Sequence, residues 1–225
     1  MRKDIKINGS LSCIDLLHIQ DQIDEINRSS INVLHYDVVD GEFNDCFIFG
    51  DLILEKIRPL TKKPICVHLA VNQVDKYLGP MIKAGADYIA VHFETKCDHK
   101  QIFLKIIELG AKPVLAFKSD TDVPDNFIEL VKDVEWILKL TVNPGYAGQK
   151  IQSNAIKHIK KMRSILNHEK LNIDIEADGN VNPMTIPLLV QSGATILTGG
   201  TSGLFNKKGS IEENYQRMKE ASAYE

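Results

Sequence analysis

"ICVHLAV" (65–71), followed at once by "QVDKYLGPMIKAG" (73–85), is the stretch whose reading decides the fold. The first run is apolar and of strand length. The second spaces its apolar residues as a helix face does, and Gly85 falls where that helix should stop. The same couple recurs on both sides. Upstream, "IKINGSL" (5–11) leads to 14–26, and "VLHYDVV" (33–39) leads to "DLILEKIRPL" (51–60). Downstream, "YIAVHFE" (88–94), "KPVLAFK" (112–118), "WILKLTV" (136–142), "NIDIEAD" (172–178) and "ATILTGG" (194–200) each precede a helical stretch. Those stretches are 100–110, 125–134, 154–166, 184–193 and 210–221. Ile102, Ile106 and Leu109 show the helical spacing, and Gly110 and Gly193 sit at further helix ends.

Eight strand–helix pairs in 225 residues, with no linker or low-complexity insert, predict one domain over 1–225. Eight such units close most naturally as a (β/α)8 TIM barrel. A doubly wound open sheet is the alternative. A barrel directs attention to the C-terminal ends of its strands, where such folds carry their chemistry.

Composition narrows the class. Hydrophobic residues make up 44% and charged residues 25%, as in ordinary globular proteins. A net charge of −3 argues against a nucleic-acid binder. The densest basic stretch, "IKHIKKMR" (156–163), reads as the wet face of a helix. The N-terminus has no signal-peptide pattern and no apolar run is long enough to span a membrane. Four widely spaced cysteines without a CxxC fit reduced thiols, so a cytoplasmic location is expected.

The strand ends are unusually polar. His35 and Asp37 are two apart on the second strand and therefore share a face. His68 lies near the end of the third strand and Asp178 ends the seventh. Convergence of these four would give the mixed nitrogen and oxygen set that suits zinc, iron, manganese or cobalt. The competing reading of each histidine is a core residue with its hydrogen bonds met, and His92 fits that description. Cys66 reads as packing, Asp40 before Gly41 as a turn cap, and Glu176 as an outer partner or a buried, paired acid. Glycine-bearing loops follow the last three strands: "NPGYAGQ" (143–149), "DGN" (178–180) and "GGTSG" (199–203). Three adjacent loops on one rim point to an anion site built from backbone N–H groups. No GxxxxGK[ST] or GxGxxG occurs, so a nucleotide site is unsupported.

Taken in order, "GSLSCIDLL", "LHYDVVDGEF", "VHLAV", "TVNPGYAGQ", "IEADGN" and "GGTSGLF" resemble the ribulose-phosphate 3-epimerase family over nearly the whole chain. "SLSCIDLL", "YAGQ", "DGNVN" and above all "GTSGLFN" are similar to its D-allulose-6-phosphate 3-epimerase branch. The resemblance implies a divalent-metal-dependent isomerase acting on a ketose phosphate, with D-allulose 6-phosphate/D-fructose 6-phosphate preferred. His35, Asp37, His68 and Asp178 match the family's metal ligands, and Asp37 and Asp178 match its acid/base pair across an enediolate. Ser10 and His68 match substrate contacts. Gly145, Tyr146, Ala147, Gly148, Gly179, Asn180, Gly200, Thr201 and Ser202 match its phosphate-side loops. A homo-oligomer is expected, and neither nucleic acid nor membrane as a partner.

The chain departs from the family where methionines usually surround the reacting carbon. Val39, Ala70 and Leu140 stand there, "EFNDCF" replaces a Val-Pro-Asn stretch, and Gly9 stands where proline is common. A wider or reshaped pocket is expected. Alternatives are D-ribulose-5-phosphate 3-epimerase, a non-catalytic sugar-phosphate-binding barrel, or a hexulose-phosphate synthase. The Asp-x-Lys-x-x-Asp run of that last group is absent, since "DVVDG" has no lysine.

Overall fold

A computed structural model describes residues 4–143 and 148–223. The barrel strands are β1 (Lys6–Ser10), β2 (Leu34–Asp40), β4 (Ile65–Ala70), β5 (Tyr88–His92), β6 (Lys112–Phe117), β7 (Trp136–Leu140), β8 (Asp174–Val181) and β9 (Ile196–Gly199). Neighbours pair in parallel all the way round, and β1 pairs with both β9 and β2. The sheet is therefore closed, which decides for the barrel over the open sheet. The helices between strands are α1 (Ile19–Arg28), α2 (Asp51–Ile57), α3 (Val74–Lys83), α4 (His99–Glu108), α5 (Phe127–Val131), α6 (Ser153–His168) and α7 (Ile186–Ser192), with α8 (Ile211–Ser222) last.

Two hydrophobic layers follow from strand alternation. Cys66, Ala90, Val114, Ala116, Trp136, Leu138, Leu140 and Ile196 share one parity and pack inside the barrel. Val67, Leu69, Val91, Leu115, Ile137, Ile175 and Leu197 have the other parity and pack under the helices. On α4, Ile102, Phe103 and Ile106 are buried, and each such side chain contributes about 1.5–3 kcal/mol. On α6, Ala155, Ile159, Met162 and Leu166 face inward while Lys160 and Lys161 are exposed. The basic stretch is thus the outer face of a helix, as its spacing predicts. Gly193 ends α7 with φ of 109°, and a Cβ there would stand 2.5 Å from Cβ of Arg163.

Three local features differ from the sequence reading. The first helix starts at Ile19 rather than 14, because 3-10 turns at Leu11–Cys13 and Leu16–His18 come first and Asp15 caps the second through Leu17 N–H. A two-residue strand, β3 (Phe47–Ile48), folds back antiparallel on Val39 and Asp40. Strand β8 runs on to Val181 through an irregularity after Asp178. Hydrophobic spacing reports none of these, since each is set by local side-chain and backbone hydrogen bonds.

Candidate active site

The inward parity of the strands carries polar residues as well as apolar ones. Asn8, Ser10, His35, Asp37, His68, His92, Glu176, Asp178 and Thr198 all occupy it. Register then sets their height. Asp37 pairs with His68, Leu140 with Asp178, and Asp178 with Thr198. His35, Asp37, His68 and Asp178 each offer one ligand atom, and these atoms lie within 4.8 Å of one another. His35 Nε2 is 3.0 Å from Asp37 Oδ1 and 3.6 Å from Asp178 Oδ2. His68 Nδ1 is 3.1 Å from the same Asp37 oxygen.

The electrostatics of the cluster favour a cation at its centre. Burial disfavours charge on His35, yet Asp37 and Asp178 outweigh it and hold the imidazole well above its ordinary pKa. Burial likewise raises Asp37, but His35 and His68 pull it well below the carboxylate range. Asp178 goes the other way: burial raises it, with Asp37 adding repulsion against the pull of His35 and His68. Two carboxylates and two neutral imidazoles would balance a divalent ion, and the donor set suits a borderline metal. The residues therefore fit the metal that the sequence implies.

A cavity of about 540 Å³ opens above the cluster. Its wall includes Ser10, Ser12, Asp37, His68, Gly148, Asp178, Gly179, Asn180, Gly200, Thr201 and Ser202. Val39, Ala70 and Leu140 also line it. His35 lies beneath, fully buried. Gly145, Tyr146 and Ala147 lie outside the described residues. Gly179 has φ of 116°, and a Cβ there would meet Val142 Cγ2 at 2.5 Å, so the close turn after Asp178 needs glycine.

Several neighbours are organised around these residues. Ser10 and Ser12 hydroxyls donate to Asp37 Oδ2 at 3.1 and 2.9 Å. Ser12 lies two residues from Ser10, and hydrophobic spacing does not single it out. Glu176 is fully buried and accepts from Trp136 Nε1 at 2.6 Å, from the Thr198 hydroxyl and from Asn8 Nδ2 at 3.3 Å. Its Oε1 also stands 3.4 Å from His35 Nδ1, a long contact that leaves this nitrogen without a well-formed hydrogen bond. Asp40 caps its turn, accepting from Glu42 N–H and Phe43 N–H at 2.9 and 2.8 Å. Cys66 is core, and all four cysteines are free thiols. His92 is not merely core: Nε2 lies 2.8 Å from His68 Nε2, and Nδ1 lies 2.9 Å from Glu94 Oε2. Burial, together with the neighbouring His68 and Lys118, outweighs Glu94 and brings His92 down to about 4.

The sequence profile described as "Ribulose-phosphate 3 epimerase family" matches residues 6–205. The chain belongs to that family. Ribulose-phosphate 3-epimerase of Bacillus subtilis (strain 168) is 34% identical over 93% of this chain and 97% of its own. Ribulose-phosphate 3-epimerase of Methanocaldococcus jannaschii is 31% identical over 97% of this chain and 91% of its own. The ribulose-phosphate 3-epimerase family consists of isomerases acting on carbohydrate phosphates, and the expectation of an enzyme of this class stands. Among solved structures, phosphoribosyl anthranilate isomerase from Thermococcus kodakaraensis superposes with a TM-score of 0.67. It is 13% identical, covering 98% of this chain and all of its own. 3-Hexulose-6-phosphate synthase from Salmonella typhimurium gives 0.63 at 14% identity, over 97% and 98%. At such identity these two speak to the barrel alone. Among the described residues no helix is long and apolar enough to cross a membrane.

Proposed function

We propose that this ribulose-phosphate 3-epimerase family member is a divalent-metal-dependent 3-epimerase of a ketose phosphate that prefers the D-allulose 6-phosphate/D-fructose 6-phosphate pair. The observation that carries the proposal is the cluster of His35, Asp37, His68 and Asp178 on the floor of the cavity. Epimerisation beside a ketone removes a proton from one face of carbon 3 and returns one to the other. Asp37, kept ionised by His35 and by the Ser10 and Ser12 hydroxyls, is the base in one direction. Asp178, which burial and the nearby Asp37 raise above the ordinary carboxylate range, is the acid. In the reverse direction the two exchange roles. A divalent cation held by His35, Asp37, His68 and Asp178 would supply Lewis-acid stabilisation of the charge that develops on the substrate oxygens.

The loops holding Gly179, Asn180, Gly200, Thr201 and Ser202 line the cavity, and backbone N–H groups there suit the substrate phosphate. Gly145, Tyr146, Ala147 and Gly148 belong to the same proposed contact. Anchoring the phosphate fixes the register of carbon 3 between the aspartates. The preference for the hexulose phosphate is supported by Val39, Ala70 and Leu140 in the wall, because Ala70 and Val39 leave room for a further carbon. D-Ribulose 5-phosphate is the second reading, favoured by the names of the relatives. Free cysteines support a cytoplasmic location.

Purified protein is to be assayed on allulose 6-phosphate and ribulose 5-phosphate side by side, with metal content measured on the same sample and carbon-3 exchange followed in deuterated water. Faster turnover of allulose 6-phosphate with about one metal per chain is expected. A clear preference for ribulose 5-phosphate ends the hexulose reading. Binding without exchange ends the enzymatic one.

A further inference from the structure

His68 faces two ways. Its Nδ1 looks into the cluster, 3.1 Å from Asp37 Oδ1, and its Nε2 looks away, 2.8 Å from Nε2 of His92. Two ring nitrogens that close share one proton, so one donates and the other accepts. The next link decides which. His92 Nδ1 lies 2.9 Å from Glu94 Oε2, and an ionised carboxylate only accepts. The proton of His92 is therefore on Nδ1. His92 is fully buried, with the Phe43 ring centroid 4.6 Å from its own, surroundings that disfavour a second proton. Its Nε2 then accepts, and His68 must donate from Nε2. What remains on His68 Nδ1 is a lone pair aimed at the cluster.

The geometry points to Glu94 as a positioning residue that acts through His92 to keep the His68 proton on Nε2 and Nδ1 open to a metal ion. The inference rests on the metal reading of the cluster. Glu94 is itself held in place. Its Oε1 accepts from Lys118 N–H at 2.7 Å and from the Thr121 hydroxyl. Burial raises its pKa, but the hydrogen bonds of His92, Thr121 and Lys118 bring it to about 2. A lone pair on His68 Nδ1 facing Asp37 Oδ1 is a meeting of two acceptors, an arrangement that a cation between them relieves. Ligand histidines commonly have such a carboxylate behind them. Glu176 stands behind His35 directly; Glu94 stands behind His68 at one remove.

Glu94→Gln tests the chain of protons. Lys118 N–H and Thr121 keep the amide oxygen where Oε1 was, so the amide NH2 comes to face His92 Nδ1. That nitrogen must then accept, His92 Nε2 donates, and the His68 proton moves to Nδ1, where it blocks the ligand site. Zinc affinity of the metal-free protein, measured by competition with a chelator, is expected to fall about 10–100-fold in Glu94→Gln. In zinc-loaded wild-type protein, 15N NMR is expected to show protons on His68 Nε2 and His92 Nδ1, with His92 Nε2 bare, a pattern that bulk packing would not impose. Wild-type protein that binds no zinc overturns both the cluster reading and this inference. Wild-type binding with Glu94→Gln within about twofold of it overturns the relay alone. A proton on His92 Nε2 in the zinc-loaded wild type also overturns the relay. That spectrum decides the matter if Glu94→Gln does not fold.

Discussion

Asp37 and Asp178 are the same residue type, similarly exposed at 16% and 17% of their side chains, in two different environments. Asp37 collects hydrogen bonds from two serines beside two imidazoles, and Asp178 is the carboxylate that burial leaves less stabilised. On the proposed two-aspartate scheme, removing either carboxylate should stop the reaction. Asp178→Asn is expected to lower kcat by about 10²–10⁴-fold, measured with metal content on the same sample. Near-normal turnover with metal bound would refute the two-aspartate scheme. Gly179→Ala should destabilise the fold by about 1–3 kcal/mol in urea denaturation, because the backbone is left-handed there and Val142 occupies the space of a methyl. The metal-ligating candidates were legible from the chain because alternation puts His35 and Asp37 on one side of one strand. His92 was not, since its role depends on a ring-to-ring contact between strands, and an isolated strand histidine looks the same in either role.

Strands and helices contribute unequally to the site. The inward faces of β2, β4 and β8 supply the cluster, and the loops after β8 and β9 supply much of the cavity wall. Helices mainly close the outer layer, and α8 shows how its start is specified. Ser210 accepts from Glu213 N–H at 3.2 Å while the Glu213 carboxylate accepts from Ser210 N–H at 2.8 Å. Ser210→Ala should cost about 1 kcal/mol in chemical denaturation without changing kcat. Just past β5, Glu94 makes part of the stability depend on acid. Its folded pKa of about 2 lies below the unfolded value of 4.5, so its contribution is complete above about pH 4.5 and is lost as pH falls towards 2. Wild-type stability should therefore decline over that window more steeply than that of Glu94→Gln, as read from urea midpoints across pH. Helix and strand periods were plain in the sequence. The β3 hairpin was not, because two residues are too few to show alternation.

Closure of the barrel rests on an uneven set of joins. Strands β2 and β4 share six registered residue pairs, whereas β1 and β2 share two, Gly9 with Leu34 and Ser10 with His35. The count of strand–helix units made closure readable in advance, but the thinness of this one join depends on strand ends and register. Exposed Leu17, Phe47 and Leu52, and Leu104 and Ile107 on α4, are apolar surface that a second copy of the chain could cover. Sedimentation is expected to give a species larger than one chain, and a monomer at micromolar concentration would remove that expectation.

The thin join would give an ion held at this cluster a mechanical consequence. Asp178 stands on one side of the seam, with β9 and β1 between, while His35, Asp37 and His68 stand on the other. An ion gripped by all four is a clasp across the weakest zip of the cylinder. Stripping it with a chelator should lower Tm and quicken amide exchange at Gly9 and Leu34 before it does so at the β4–β5 join, tying the opening of the cylinder to the occupancy of its floor.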